Sequence, residues 1–405
     1  MKPPPVTCPG PPRRPLHRSA AHQRTSIRDQ TVASGRHLQK GQLVLLPVTP
    51  ERLPMSIGGN ANSTLECLGH GDGMWRPDSG RETYMLPVNT FVPDFNRSSH
   101  WWGACDDATR RTGSERPRRP ELKWSWVPQG AGCSAVAALL RDRDAIRRSW
   151  CARFAACTVL FVGDSTQGQL FLSFAQLLGA SHTVSHQVQC YSSKAHTNAR
   201  QGRELDVSTQ LCGQGKSGVT ARFVRNELLR IGTDTSDTPG AKNGSRWLCD
   251  FTEAARGVDL IVLNRGQHFV PDPEFERTLG HTLVELRRLA PAAVVVYRST
   301  WTNFLRCEKL ADPLTTPYDL PSRSPDPFVE EWRRIKEQNK LARQVIQHTG
   351  ALWLNILPSS AFRPGGHHRP GAHCSHYCLP GPIDDWSMLL MVLTLNMPPA
   401  DHHLR

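Results

Sequence analysis

Apolar residues along this chain fall into short unbroken runs separated by amphipathic stretches. Thr158-Val159-Leu160-Phe161-Val162-Gly163 is the first clear run, and residues 259–264, 292–297 and 351–356 repeat the pattern. Residues 219–224 instead alternate apolar and polar, as a half-buried strand does. Runs this short and this continuously apolar suit strands buried on both faces. Between them lie segments with helical spacing: residues 135–150, 169–178, 273–289, 327–349 and a last one from about Asp384. Strands and helices that take turns predict an α/β fold, a parallel sheet covered by helices on both sides. Residues 180–215 are polar and cysteine-bearing.

The chain ahead of this pattern reads differently. From Cys67 to Cys133 it is rich in Trp, Pro, Gly and Arg and has little periodicity. Trp75, Trp101, Trp102, Trp124 and Trp126 lie there. They either pack on the main core under disulfide restraint or line a groove that stacks on sugar rings. The expected organisation is a disordered basic leader over 1–60, a Cys/Trp-rich lobe over 65–133 and an α/β domain over 134–395.

Charge and cysteine content narrow the setting. Of a net charge of +13 over 405 residues, about half sits in residues 1–60, which hold nine Lys/Arg against two acids. That leader is Arg-rich and acid-poor, as transit peptides are, and lacks the apolar centre of a signal peptide. A start lying further upstream is equally compatible with it. No apolar run approaches the ~18 residues of a membrane span. Basic residues in the body are interspersed with acids and form no aromatic-basic reader motif, so no nucleic-acid partner is expected. Twelve cysteines, most of them well separated, and sequons at Asn62, Asn96 and Asn243 point to an oxidising, secretory compartment. With Cys8 set aside eleven cysteines remain, so at least one is unpaired or bonded elsewhere.

The chemistry gathers at the ends of the strands. Gly163-Asp164-Ser165 closes the first apolar run and opens an amphipathic segment. A serine there is either an ordinary helix N-cap or a nucleophile at the carboxyl edge of a sheet. Other strands end at Asn226, Asn264 and Arg298, so polar side chains collect along that edge. Acyl transfer needs a nucleophile, a base, a group that orients the base and oxyanion donors. Ser165 is the candidate nucleophile and His376 the candidate base. The Ser165 amide and the Asn264 side chain are the candidate oxyanion donors. The order Ser, Asn, His in separated blocks suits a flavodoxin-like hydrolase better than a Gly-x-Ser-x-Gly nucleophile elbow. Arg225, His268 and Arg298 are candidate substrate-contacting residues, with structural ion pairing as the competing role. His367, His368, His373, Cys374, His376 and Cys378 invite a metal reading. Their spacing fits no common zinc arrangement, and disulfides are the better expectation for the two cysteines, so neither a metal nor a bound cofactor is expected.

The blocks Gly163-Asp164-Ser165, Leu263-Asn264-Arg265-Gly266-Gln267-His268 and Cys374-Ser375-His376-Tyr377-Cys378-Leu379-Pro380-Gly381 resemble the trichome birefringence-like proteins. These belong to the PC-esterase branch of the GDSL/SGNH superfamily. Cys67 with Gly73-Met74-Trp75, and Trp124-Ser125-Trp126 before Cys133, are similar to that family's N-terminal lobe. The likeness runs over about residues 65–395. It implies a flavodoxin-like SGNH three-layer α/β/α fold with a loop-rich lobe. It also implies O-acetylation of cell-wall polysaccharide in the Golgi, through a Ser–His–Asp triad and an acetyl-serine intermediate. An acetyl donor and a polysaccharide acceptor are then the required partners, and no stable protein partner is implied. The family's tail motif places an Asp where this chain has His373, and the preceding Arg-Pro-Asp-x-His element has Gly365 in place of its Asp. Loss of a triad acid can cost on the order of 10⁴ in rate. Another group, such as Asp384, Asp385 or a backbone carbonyl, then orients His376, or a slower Ser–His dyad remains, or the protein binds glycan without turning it over. A carbohydrate acetylesterase uses the same residues and is the neighbouring reading.

Overall fold

The computed structural model describes residues 60–78, 120–180, 183–186, 190–192, 206–213, 218–231, 247–307, 310, 312–324, 327–367 and 373–397. Residues 1–59 of the expected leader, Trp101, Trp102 and the sequons at Asn96 and Asn243 lie outside these.

In chain order, α1 (Asn60–His70) and β1 (Gly73–Pro77) come first. β2 (Trp124–Pro128) pairs antiparallel with β1, Trp75 opposite Trp126. The stretch expected to lack regular elements therefore holds a helix and a strand pair. Trp75 and Trp126 are buried, with rings edge-on at 5.5 Å. Trp124 packs half-buried on the same core, so these three tryptophans serve packing. α2 (Cys133–Leu139) and α3 (Arg143–Arg153) divide what periodicity suggests is one helix. Asp142 causes the break by capping a fresh start, its carboxylate accepting the Ala145 amide at 2.8 Å.

Next come β3 (Thr158–Gly163) and α4 (Ser165–Leu177). β4 (Thr183–Ser185), β5 (Cys190–Ser192) and β6 (Asp206–Leu211) lie in the polar stretch. β7 (Val219–Arg225), β8 (Trp247–Cys249), β9 (Leu260–Leu263), α5 (Asp272–Leu289) and β10 (Val294–Arg298) follow. The chain ends through β11 (Phe304–Leu305), α6 (Pro327–Gln347), β12 (Leu352–Leu354), α7 (Leu357–Ala361), β13 (His373–Cys374) and α8 (Pro382–Leu395).

The main sheet has the order β12-β10-β9-β3-β7-β6-β4. From β12 to β7 all neighbours are parallel. β6 runs antiparallel to β7, and β4 antiparallel to β6, so the expected parallel sheet gains an antiparallel edge. That edge is hidden in the sequence because β6 mixes polar with apolar residues and buries Asp206 in an ion pair with Arg222 of β7.

β3 shows how both faces are covered. Val159 and Phe161 join an apolar cluster with Leu170 and Phe174 of α4 and Leu390 of α8. Leu160 and Val162 join a second cluster with Phe275 and Leu279 of α5 and Ile346 of α6. Side chains alternate along a strand, so this one strand feeds two helical layers. The architecture is a three-layer α/β/α sandwich. β7 lies on one side of β3 and β9 on the other, so the strand order reverses there, and open α/β sheets place their ligand crevices at the carboxyl end of such a strand.

Disulfides join Cys67–Cys133, Cys151–Cys212, Cys190–Cys249 and Cys307–Cys374. Cys157 and Cys378 are also in disulfides, and no described cysteine is free. Among the described residues no helix is long and apolar enough to cross a membrane.

Candidate active site

The turn after β3 is built so that one hydroxyl is left over. Asp164, not Ser165, caps α4: its Oδ1 accepts the Thr166 amide at 2.8 Å, the Thr166 hydroxyl at 2.5 Å and the Gln167 amide at 3.4 Å. Ser165 is therefore the first helical residue. Its backbone N–H has no acceptor within the helix and sits at the positive end of the helix dipole. Its side chain is free of capping duty. Gly163 is required for space, because a Cβ there would stand 2.7 Å from Gln167 Cβ and 2.8 Å from the Asn264 carbonyl oxygen.

Ser165 Oγ lies 2.7 Å from His376 Nε2, a contact spanning 211 residues of sequence. Ser165 is 7 % exposed and His376 half-buried, so of the two the imidazole is the more accessible to solvent. A neutral imidazole at that distance can take the hydroxyl proton as Oγ attacks an acyl carbon. An N–H at this first helical position can donate to an anion that forms beside the hydroxyl.

The segment carrying His376 is held from several directions. Cys374 is tied to Cys307, and β13 pairs with β11. Trp301 Nε1 donates to the Ser375 carbonyl at 2.9 Å, and His367 Nδ1 to the His376 carbonyl at 3.1 Å. Gln169 grips the next residue twice, donating to the Tyr377 carbonyl at 2.7 Å and accepting its amide at 3.2 Å. Gln169 is one helical turn beyond Ser165 on α4, so the two share one helix face. His367 is buried against the Tyr377 ring at 3.9 Å, and burial pushes its imidazolium down to about 3. Ser375 Oγ stands 3.2 Å from the other ring nitrogen of His376, Nδ1.

The remaining sequence candidates divide. Asn264 is fully buried at the end of β9, with its amide nitrogen on the Arg298 carbonyl at 3.1 Å and on Thr300 Oγ1 at 3.0 Å. Both of its N–H bonds are thus engaged in joining β9 to β10, and neither is directed at an oxyanion on Ser165. Arg298 is also fully buried, against the expectation that it faces the cleft. It donates to Gln167 Oε1 at 3.0 Å, Thr166 Oγ1 at 3.1 Å and the Ser299 carbonyl at 3.0 Å, and so ties the start of α4 to the end of β10. Burial lowers its guanidinium to about 10, opposed by the Asp164 carboxylate.

Arg225 and His268 are brought together through buried Glu227. Arg225 Nε donates to Glu227 Oε1 at 2.9 Å, and His268 Nε2 is 3.4 Å from Oε2. Of this trio His268 alone is half-exposed. Asn226 uses its side chain to close its own loop onto Arg230 and Cys249.

The carboxylates suggested as substitutes for the missing acid have other duties. Asp384 accepts the Gly381 amide at 3.0 Å, which caps α8, and the Ser173 hydroxyl at 2.7 Å. Asp385 accepts Arg143 at 2.6 Å and the Trp126 amide at 3.4 Å. The His373 backbone lies in β13, paired with Leu305. Oxidation removes Cys374 and Cys378 as thiolate ligands for a metal.

Sequence reasoning missed Asp164 as the cap, Gln169 and Trp301 as clamps, and His367 as support for His376. Only Gln169 left a local trace, its spacing of four from Ser165.

Residues 282–393 match the family model described as PC-Esterase, the GDSL/SGNH-like acyl-esterase family found in Pmr5 and Cas1p. That segment includes His376 and ends short of the Ser165 turn on the other side. A curated relative, protein trichome berefringence-like 7 of Arabidopsis thaliana, is 23% identical over 317 residues, covering 71% of this chain and 67% of the relative. Among solved structures, a peptidoglycan O-acetylesterase aligns with TM-score 0.35 and 11% identity over 62% of this chain and 93% of its own. The periplasmic domain of a lipopolysaccharide acetyltransferase from Salmonella ser. Paratyphi A aligns with TM-score 0.32 and 10% identity, over 62% and 87%. The resemblance to PC-esterase and trichome birefringence-like proteins holds, and with it an acyl-esterase or acyltransferase type of family.

Proposed function

We propose that this protein moves acetyl groups onto hydroxyls of a cell-wall or extracellular polysaccharide through an acetyl-Ser165 intermediate. The observation that carries the reading is the 2.7 Å contact between Ser165 Oγ and His376 Nε2, made by a serine that Asp164 has relieved of capping. In the first half-reaction the Ser165 proton passes to His376 as Oγ bonds to the acetyl carbon of an activated donor. The leaving group departs with that proton. In the second half a sugar hydroxyl gives its proton to His376 and its oxygen takes the acetyl carbon. The ester bond to Ser165 breaks and Oγ recovers a proton. The Ser165 amide donates to the oxyanion in both halves. His268, backed by Glu227 and Arg225, is the residue best disposed to meet acceptor hydroxyls.

The disulfides suit the lumen of the secretory pathway, and the family likeness favours the Golgi. The test is partition of label: protein given a labelled activated acetyl ester and then a polysaccharide acceptor should yield acetylated glycan, and Ser165→Ala should yield none. Release of free acetate alone, with no acetylated glycan from any acceptor, would make the protein a carbohydrate acetylesterase. The histidine at 373 favours a second reading, a glycan-binding protein without turnover. That reading predicts glycan binding, no labelled product of either kind, and no activity gained by His373→Asp.

A further inference from the structure

Both ring nitrogens of His376 meet serine hydroxyls: Nε2 meets Ser165 at 2.7 Å and Nδ1 meets Ser375 at 3.2 Å. For Nε2 to accept the Ser165 proton it must be bare, so the ring proton sits on Nδ1 and Ser375 Oγ accepts it. We infer that Ser375 is a positioning residue for His376, its neutral hydroxyl meeting the ring nitrogen that serine triads turn towards an acid. The inference rests on the acyl-enzyme reading for its effect on rate, but not for its effect on the histidine.

Three features support it. The Ser375 backbone is fixed on both sides, by the Cys307–Cys374 disulfide and Trp301 before His376 and by Gln169 after it. Its Cβ is therefore fixed, and one rotation aims the hydroxyl. Asp384 and Asp385, the carboxylates nearest in sequence, are occupied with the cap of α8 and with Arg143. Ser375 is half-buried, so its own hydroxyl proton can reach solvent while the oxygen faces Nδ1.

A hydroxyl does this work differently from a carboxylate. It is neutral, so it orients the ring yet adds little stabilisation to the imidazolium formed during acylation. It also donates as readily as it accepts. The opposite tautomer, with Nδ1 bare and Nε2–H pointing at Ser165, is then open as well, and that tautomer cannot take the Ser165 proton. A carboxylate only accepts and so selects the productive form. Ser375 thus keeps the ring in register but selects the productive tautomer less strictly than a carboxylate at the same place would.

The test uses the full chain with ¹⁵N-labelled histidine, His376 being assigned by its loss in His376→Gln. Wild type should show His376 mainly as the Nδ1–H tautomer. Ser375→Ala should shift it towards Nε2–H and slow acetylation of Ser165 by an activated ester roughly five- to tenfold, the worth of one neutral hydrogen bond. Ser375→Thr, which keeps the hydroxyl, should recover most of that loss. Ser375→Asp should hold the ring wholly as Nδ1–H, speed acetylation and move the acid limb of its pH profile upwards. An unchanged tautomer and rate in folded Ser375→Ala would overturn the inference, as would a response that follows substitution of His373 instead. If wild type forms no adduct on Ser165 while the tautomer still responds to Ser375, the acyl-enzyme reading fails and the positioning role stands.

Discussion

Replacing His367 by phenylalanine should make the protein more resistant to acid. His367 is buried, its Nδ1–H is spent on the His376 carbonyl, and Nε2 has no hydrogen-bond partner. Burial holds its imidazolium at about 3 in the fold, against an ordinary value of 6.5. The unfolded chain therefore binds a proton over that window and the native state does not. The native advantage is intact above pH 6.5 and is lost as pH falls towards 3, at about 1.4 kcal/mol per unit. Between pH 7 and 4.5 the loss from this one group is roughly 2 to 3 kcal/mol. Phenylalanine keeps the stack on Tyr377 and removes the titration. At pH 7 it loses a hydrogen bond worth about 1 kcal/mol but also removes a buried nitrogen with no partner, so the two effects nearly offset. Urea unfolding of wild type and His367→Phe at pH 7, 5.5 and 4.5 should show near equality at the first and a gap favouring the variant by roughly 2 to 3 kcal/mol at the last. A gap that does not change with pH would refute the reasoning, since the two chains otherwise titrate alike.

Other perturbations probe the mounting of the dyad. Gln169→Leu removes both bonds to Tyr377, and should cut the rate of Ser165 acetylation by roughly tenfold or more while leaving KM for a small ester unchanged, because these bonds present His376 and do not touch the ester. Gly163→Ala drives a Cβ against the Asn264 carbonyl, and should cost about 1–3 kcal/mol by denaturant unfolding and lower activity beyond what the stability loss explains. Replacing Cys307 and Cys374 together by serine opens a loop with a sequence separation of 67 residues. Loop entropy puts that at about 4 kcal/mol, and acetylation should fall even at temperatures where circular dichroism shows the fold intact.

The parts of the fold legible from sequence are those where one residue pattern has one physical cause. β3, β9 and β10 are buried on both faces, so their sequences are unbroken apolar runs. The antiparallel strands β6 and β4 carry no such run, and Asp206, whose buried charge is answered by Arg222 on the next strand, reads as loop until that pairing is known. Ser165 and His376 are legible because each sits in a local motif. The duties around them are not, because they depend on distant partners. Asn264 and Arg298 end strands and so look like cleft residues, yet Asn264 spends its amide nitrogen on the end of β10 and Arg298 its guanidinium on Thr166 and Gln167 of α4. The grip of Gln169 on Tyr377 joins positions 208 apart, and a side chain on a remote backbone group leaves no pattern in the intervening sequence. Of the two roles open to Ser165, the cap falls to its neighbour Asp164, whose carboxylate accepts the Thr166 amide.

The central claim is that Ser165 accepts an acetyl group with His376 as its base. Full-length protein with its disulfides verified should be exposed to an activated acetyl ester, quenched in acid, digested and mass-analysed. The peptide containing Ser165 should gain the mass of one acetyl group, with Ser165→Ala unlabelled there and His376→Ala labelled far more slowly. No acetyl on Ser165 in the wild-type protein, or labelling that is indifferent to His376, would contradict the account.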